Sequence, residues 1–297
     1  MIRNVLITGT SGFLGYNLCR DLGETFTLFG THHESPLNAP VQAVTPMDLT
    51  GSLKPVEGFI RQYGIEAIIH CAAVSRAGAC ARNPYLTRQV NIEGTRALAT
   101  VAQQLSVQFL FMSTDLVYNS GPGPHDETDA DPHMIYSESK FDAEMEAFRV
   151  HPGTVVLRAA LMFGNDDGLH GSFLRENERD LATGNVLTLF TDQYRTPVWS
   201  RDVARAVTMI LKYRVRSQIF NIGGDARVNR YDLGLLMADV FRWDADRMIP
   251  VAMEGMTADA PYLTDCSLDC TRIHRETGWQ PTPLREALEQ VAREWTP

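Results

Sequence analysis

The stretch Thr8-Gly9-Thr10-Ser11-Gly12-Phe13-Leu14-Gly15, directly behind the apolar run Val5-Leu6-Ile7, limits what this chain can fold into more than any other. An unbroken apolar run fits a strand buried on both faces of a parallel sheet, and glycines at every third position fit the turn from such a strand into a helix. Gly9 permits the tight turn, Gly12 lets backbone approach a pyrophosphate, and Gly15 lets helix and strand pack closely. The helix N-terminus then supplies amide donors and a positive partial charge. Gly9, Thr10, Ser11, Gly12, Phe13, Leu14 and Gly15 are accordingly read as dinucleotide-binding residues, the alternative being a glycine-rich turn with a structural role only.

The rest of the first half repeats this rhythm. A helix is expected from about Gly12 to Leu22, strands at 26–29, 41–44 and 67–70, and a helix whose packed face carries Val90, Ala97, Leu98, Val101 and Leu105. A strand at 109–112, a helix from Met134 to Val150 and a strand at 154–157 follow. Alternation of this kind makes a doubly wound parallel sheet of the α/β class. After Arg158 the alternation stops at Gly164-Asn165-Asp166-Asp167-Gly168, where a second, smaller lobe should begin. A helix with Val203, Val207, Ile210 and Leu211 on one face and a strand at 219–222 look like returns to the sheet. The expected division is 1–160 with 198–224 as a dinucleotide-binding domain, interleaved with a C-terminal substrate lobe of 161–197 and 225–297.

Composition removes several classes. Lys+Arg is 27 against Asp+Glu 36, a net charge of −9 that gives nucleic acid no reason to gather on the surface. Charged residues break every apolar run before a bilayer span is reached, so no membrane partner is expected and a soluble chain is. The N-terminal run is too brief for a secretory leader. Five cysteines, Cys19, Cys71, Cys80, Cys266 and Cys270, form no Cys-x-x-Cys pair, and the histidines show no ligand spacing. A cytoplasmic location with no metal is expected.

Two constellations carry chemistry. Tyr136 and Lys140, four apart, project from one helix face, and a cation beside a phenol favours the phenolate and lowers its pKa. Phe109 to Met112 then delivers Ser113-Thr114-Asp115 to the sheet edge where doubly wound folds bind ligands, and Thr114 can meet Tyr136 there. Catalytic work is assigned to Thr114, Tyr136 and Lys140. The acidic residue expected about 20 positions after the glycines of an NAD site is missing from Phe29-Gly30-Thr31-His32-His33, so NADP and NAD are equally acceptable. His32 or His33 is placed to donate to a 2′-phosphate, or both are simply solvated. Asp48, with Leu49 beside it, either reaches the adenine edge or closes a turn. Cys71 is read as a small packed side chain along the cofactor rather than a reactive thiol.

With these residues assembled, the chain resembles the extended short-chain dehydrogenase/reductase superfamily over nearly its whole length. Ser113-Thr114-Asp115, Asp126-Glu127-Thr128-Asp129, Tyr136 and Lys140 with Glu144, and Asp192-Gln193 with Pro197 are most similar to dTDP-4-dehydrorhamnose reductases. Leu268-Asp269 and Gly278-Trp279 suit that superfamily's C-terminal lobe. The resemblance implies a Rossmann-like sheet, NADP or NAD as cofactor, and reduction of the keto group of a nucleotide sugar. Tyr136 would protonate the carbonyl oxygen, Lys140 would tune Tyr136 and hold the nicotinamide ribose, and Thr114 would bond the developing oxyanion. Cofactor contacts would extend to Ala72, Ala73 and Asn91, the last by orienting a neighbouring loop. In so acidic a chain a diphosphate-bearing substrate needs local guanidinium groups, and Arg195 and Arg158 are the candidates, with a surface loop arginine as the alternative for Arg195. The family's 4,6-dehydratases carry a glutamate where this chain has Leu116, which cannot act as acid or base. His70-Cys71 and Tyr194-Arg195 also depart from the rhamnose-reductase pattern. Similar chains include nucleotide-sugar epimerases and regulatory subunits of methionine adenosyltransferase, so both remain alternatives, and a homodimer is one assembly to consider.

Overall fold

A computed structural model describes residues 2–33, 39–119, 121–165, 171–253 and 263–295. Asp166, Asp167 and Gly168 of the expected lobe boundary lie outside them. The described chain is built on one sheet of β1 (Asn4–Thr8), β2 (Thr27–His32), β3 (Ala43–Pro46), β4 (Ala67–His70), β5 (Gln108–Thr114), β6 (Val155–Ala159) and β7 (Gln218–Ile222). Their order is β7-β6-β5-β4-β1-β2-β3, and every pairing is parallel.

The strands explain their own continuous apolar runs. Side chains alternate across a strand, so Val5 and Ile7 join Leu18, Leu22, Val203 and Val207 on one face, while Leu6 joins Leu98, Phe109, Phe111 and Ala143 on the other. Both faces are covered by helices, which is why all seven residues of β5 are buried. The chain runs β1 to β2 to β3 in one direction and then returns to place β4 on the far side of β1. That reversal opens a crevice at the carboxyl ends of β1 and β4, where the glycine loop sits.

Several elements differ from expectation, among them the helices Ala77–Arg82, Phe173–Ala182 and Thr271–Thr277, which are not among the expected ones. The third strand is Ala43–Pro46 rather than 41–44, a short edge element with little burial to set its register. The helix Lys54–Tyr63 is additional: Val56, Phe59 and Ile60 bury one face, and Gly64 closes it in the left-handed region. The long helix ahead of β5 is three segments, 84–87, a π-turn stretch 88–94 and Thr95–Gln104. The C-terminal region adds small ladders, 162–163 with 198–199, 194–195 with 228–229, and 187–190 with 248–251. Phe163, Leu174, Trp199, Leu233 and Leu288 form a separate core here, and Leu187, Leu189 and Met248 of the last ladder belong to a smaller one. Two-residue strands carry no periodicity, so nothing in the sequence marks them. Among the described residues no helix is long and apolar enough to cross a membrane, and no His/Cys/Asp/Glu group could hold a metal ion.

Candidate active site

The glycine loop is shaped by what surrounds it. Gly9 has φ +69°, and a Cβ there would approach the Ala72 amide nitrogen to 2.8 Å. A Cβ on Gly15 would run into the Gly9 carbonyl oxygen, so β1 and the helix Phe13–Leu22 meet as the motif requires. Gly12 differs: its added Cβ would meet nothing nearer than 3.4 Å, and the residue is exposed to the crevice. No side chain caps this helix, so its N-terminal amides are open towards the crevice. Beneath the loop, Thr8 Oγ1 accepts hydrogen bonds from the amides of Cys71 (3.1 Å) and Ala72 (3.2 Å) and lies 2.7 Å from His70 Nδ1. His70 Nε2 lies 3.1 Å from Thr95 Oγ1. Burial, then Lys140, pushes this imidazole down to about 3, so it is neutral and ties β1 to β4. As one letter at the end of an apolar run, His70 carries no sequence signal for this role.

Two adjoining cavities occupy the crevice and share Gly9, Ala72 and Ala73. The outer, of about 360 Å³, is lined by Ser11, His32, His33, Asp48, Leu49 and Leu86 among others. The inner, of about 340 Å³, reaches Gly12, Phe13, Leu14, Gly15 and Cys71, and ends at Ser113, Tyr136 and Lys140. Burial pushes the Cys71 thiol up to about 12, so it is a packed wall. Asp48 Oδ1 accepts from the amide (2.8 Å) and hydroxyl (2.7 Å) of Thr50, which closes a turn while the residue faces the outer cavity. Thr10 and Asn91 are not cavity walls. The Thr10 hydroxyl donates to the Thr31 carbonyl at 2.8 Å in a fully buried position. The Asn91 amide bonds Val74 N and Val74 O and donates to Ser139 Oγ at 2.9 Å. Both therefore shape the crevice from behind its lining, which for Asn91 is the loop-orienting role expected of it.

Tyr136 and Lys140 stand in the first turns of the helix Ile135–Val150, whose start is closed by Ser137 bonding Met134. Lys140 is 3% exposed, its Nζ lies 4.0 Å from the Phe111 ring centroid, and burial pushes it down to about 8. The expected lowering of the Tyr136 phenol is not found. Burial first, then the Asp115 carboxylate and Cys80, raise it above its ordinary value, against a hydrogen bond with Thr114. The ammonium lies over the Phe111 ring, and the carboxylate at the end of β5 acts on the phenol instead. Asp115 is 4% exposed, and its Oδ1 accepts from Thr114 Oγ1 at 3.2 Å. Its Oδ2 has no hydrogen bond and lies 3.7 Å from Arg195 Nε. Burial, against the pull of Arg195, brings this carboxyl up to about 6.

The arginines rearrange the expected substrate contacts. Arg158 is 1% exposed and wholly committed to protein: Nε and Nη2 to Glu144 (2.7 Å for the closest), Nη1 to Tyr118 Oη (3.0 Å) and the Glu127 carbonyl (2.9 Å). Glu144 is fully buried and also accepts from Ser113 Oγ. Arg158 is thus the cation of a buried pair, because β6 is an interior strand whose side chains face covering helices, and the substrate role is withdrawn. Arg195 is not a surface loop residue either. It belongs to the ladder Tyr194–Arg195, is 8% exposed, and faces Asp115.

A seven-stranded parallel sheet with this strand order, a glycine loop at the switch point, and Thr114, Tyr136 and Lys140 grouped at the end of β5 define an extended short-chain dehydrogenase/reductase type of protein. Within that class, the RmlD substrate binding domain profile matches residues 3–296, and the chain belongs to that family. Methionine adenosyltransferase 2 subunit beta of Danio rerio is 27% identical, over 96% of this chain and 89% of that protein. The dTDP-4-dehydrorhamnose reductase of Aggregatibacter actinomycetemcomitans is 26% identical, over 97% of each. Among solved structures, the dTDP-4-dehydrorhamnose reductase of Bacillus anthracis in complex with NADP superimposes with a TM-score of 0.84 at 20% identity, over 99% of this chain and all of that one.

Proposed function

We propose that the protein is an NAD(P)H-dependent reductase acting on the keto group of a nucleotide sugar, as the dTDP-4-dehydrorhamnose reductases to which it is similar do. The observation that carries this reading is the grouping of Tyr136, Thr114 and Lys140 beside an inner cavity that begins at the glycine loop. The two cavities suit the two halves of a dinucleotide: they join at Gly9, Ala72 and Ala73, with imidazoles and Asp48 in the outer one, and an open Gly12 at an uncapped helix start and hydroxyl chemistry in the inner one. Gly9, Ser11, Gly12, Phe13, Leu14, Gly15, His32, Leu49, Ala72 and Ala73 would hold it. Bound in reduced form, the cofactor would supply a hydride.

The remaining steps belong to side chains. A phenol whose pKa is held high keeps its proton at neutral pH, which suits Tyr136 to donate it to the carbonyl oxygen as negative charge develops there. Thr114, hydrogen-bonded to Tyr136, is placed to bond the same oxygen. Lys140, still mostly protonated at pH 7, supplies a positive charge in a dry site and a donor for the nicotinamide ribose. Arg195, paired with Asp115, would line the substrate side of the site.

The test incubates purified protein with a panel of nucleotide 4-keto sugars and NADPH or NADH, following absorbance of the reduced cofactor. Stoichiometric oxidation with one sugar supports the reading. Tightly held oxidised cofactor with sugar conversion but no consumption would replace it with an epimerase. Cofactor binding without turnover of any sugar would favour a non-catalytic subunit, the reading to which the Danio rerio relative's name lends weight.

A further inference from the structure

Arg230 opens the helix Arg230–Phe241, and its amide donates to the Gln193 carbonyl at 3.0 Å. It follows directly on the strand Val228–Asn229, which pairs antiparallel with Tyr194–Arg195, Val228 opposite Arg195. The short ladder therefore presents two arginines to the same end of β5. Their surroundings are unequal. Arg195 Nε faces Asp115 and its Nη1 donates to the Tyr194 carbonyl at 2.7 Å. The Arg230 guanidinium lies over the Phe173 ring at 5.5 Å from the centroid, and among the described residues it makes no hydrogen bond and no ion pair.

The charges do not balance. The Asp115 carboxylate acts on Arg195, on Arg230 and on the Tyr136 phenol, so these four groups surround one region at the end of the crevice. It holds one carboxylate against two guanidinium groups. Burial first, then repulsion by Arg195, brings Arg230 down to about 10 against the attraction of Asp115. Arg230 is half-buried, and a guanidinium without protein acceptors offers a planar fork of donors that matches a phosphate oxygen pair.

We propose that Arg230 is the anion-binding residue of the substrate lobe, taking a phosphate of a diphosphate-bearing ligand while Arg195 stays paired with Asp115. The inference rests on the nucleotide-sugar reading for the identity of the anion, and on the geometry alone for the existence of the subsite. Arg230 lies in no sequence motif, and what singles it out, the absence of a partner, is a property of the assembled lobe.

The experiment measures binding of inorganic pyrophosphate, dTDP and UDP to the intact protein by calorimetry, and KM for any turned-over nucleotide sugar. It compares wild type with Arg230→Met, which keeps contact with Phe173, and Arg230→Lys. The dissociation constants for pyrophosphate and for the nucleoside diphosphates should rise about tenfold or more in Arg230→Met, with Lys recovering part of the loss and cofactor affinity unmoved. The melting temperature of Arg230→Met should hold or rise, since an unpaired cation has been removed; a structural arginine would lower it. Unchanged pyrophosphate and diphosphate affinity in the folded Met variant, no binding of either probe by wild type, or a loss confined to the cofactor would each overturn the assignment. If Arg230-dependent binding is found but no keto sugar is reduced, the reductase reading fails and the subsite stands. Reduction with a KM indifferent to Arg230 would keep the reductase reading and remove the subsite.

Discussion

Replacing Arg158 by methionine separates a structural cation from a substrate-binding one. Its side chain is 2% exposed and that of Glu144 is fully buried. The change removes the paired contacts to Glu144 and the donations to Tyr118 and the Glu127 carbonyl. Removing one member of a buried pair leaves the other charge uncompensated, at a cost of about 3–5 kcal/mol. At about 2 °C per kcal/mol or slightly less for a chain of 297 residues, the melting temperature should fall by roughly 5–10 °C. The double variant Arg158→Met/Glu144→Leu removes both charges together and should regain most of the loss, leaving the Ser113, Tyr118 and Glu127 contacts as the residual cost. Thermal and urea unfolding measure the loss of stability, and KM for a turned-over nucleotide sugar, taken well below the transition, measures the substrate role, where little change is expected. An Arg158→Met protein that melts within a degree or two of wild type but loses substrate affinity would refute the buried-pair argument and restore Arg158 to the site.

Tyr136→Phe should lower kcat by about 10²–10⁴-fold while cofactor affinity is retained, since only the proton donor is lost; near-normal turnover would remove Tyr136 from the mechanism. Gly12→Val should weaken cofactor binding at nearly unchanged melting temperature, because no protein atom approaches the added Cβ closer than 3.4 Å; calorimetric titration with NADPH and NADH decides it. The Lys140 ammonium, brought down to about 8, should make kcat/KM level below that pH and falling above it, and a profile flat to pH 10 would count against it. His70 is neutral in the fold down to about 3 but takes a proton near 6.5 when unfolded. The unfolded chain thus binds more protons between those values, and stability should decline as pH drops from about 6.5 towards 3. Urea titrations of wild type and His70→Gln across that window should show a shallower decline in the variant.

The legible parts of the site share one property: they are local. The glycine loop, the i, i+4 pair Tyr136 and Lys140, and the hydroxyls ending β5 can each be read because a few consecutive residues define both backbone shape and chemistry. The helix Lys54–Tyr63 is local in the same sense, with Val56, Phe59 and Ile60 at helical spacing, although it is absent from the expected elements. The direction of the Tyr136 shift is not legible. The spacing brings a lysine to the phenol's helix face, but the ammonium settles over Phe111 and a carboxylate from another element reaches the phenol.

By itself, then, the amino-acid order determined the alternation of strand and helix, the doubly wound class, the loop at its switch point and the trio Thr114, Tyr136 and Lys140, because periodicity and turn chemistry act over a few residues. Only the tertiary structure decided among the arginines. Arg158, Arg195 and Arg230 are alike as letters. One lies under covering helices with Glu144, one beside Asp115, and one has no acceptor among the described residues. A guanidinium's role is set by which carboxylates long-range packing brings within a few ångströms of it and by how much water that packing removes.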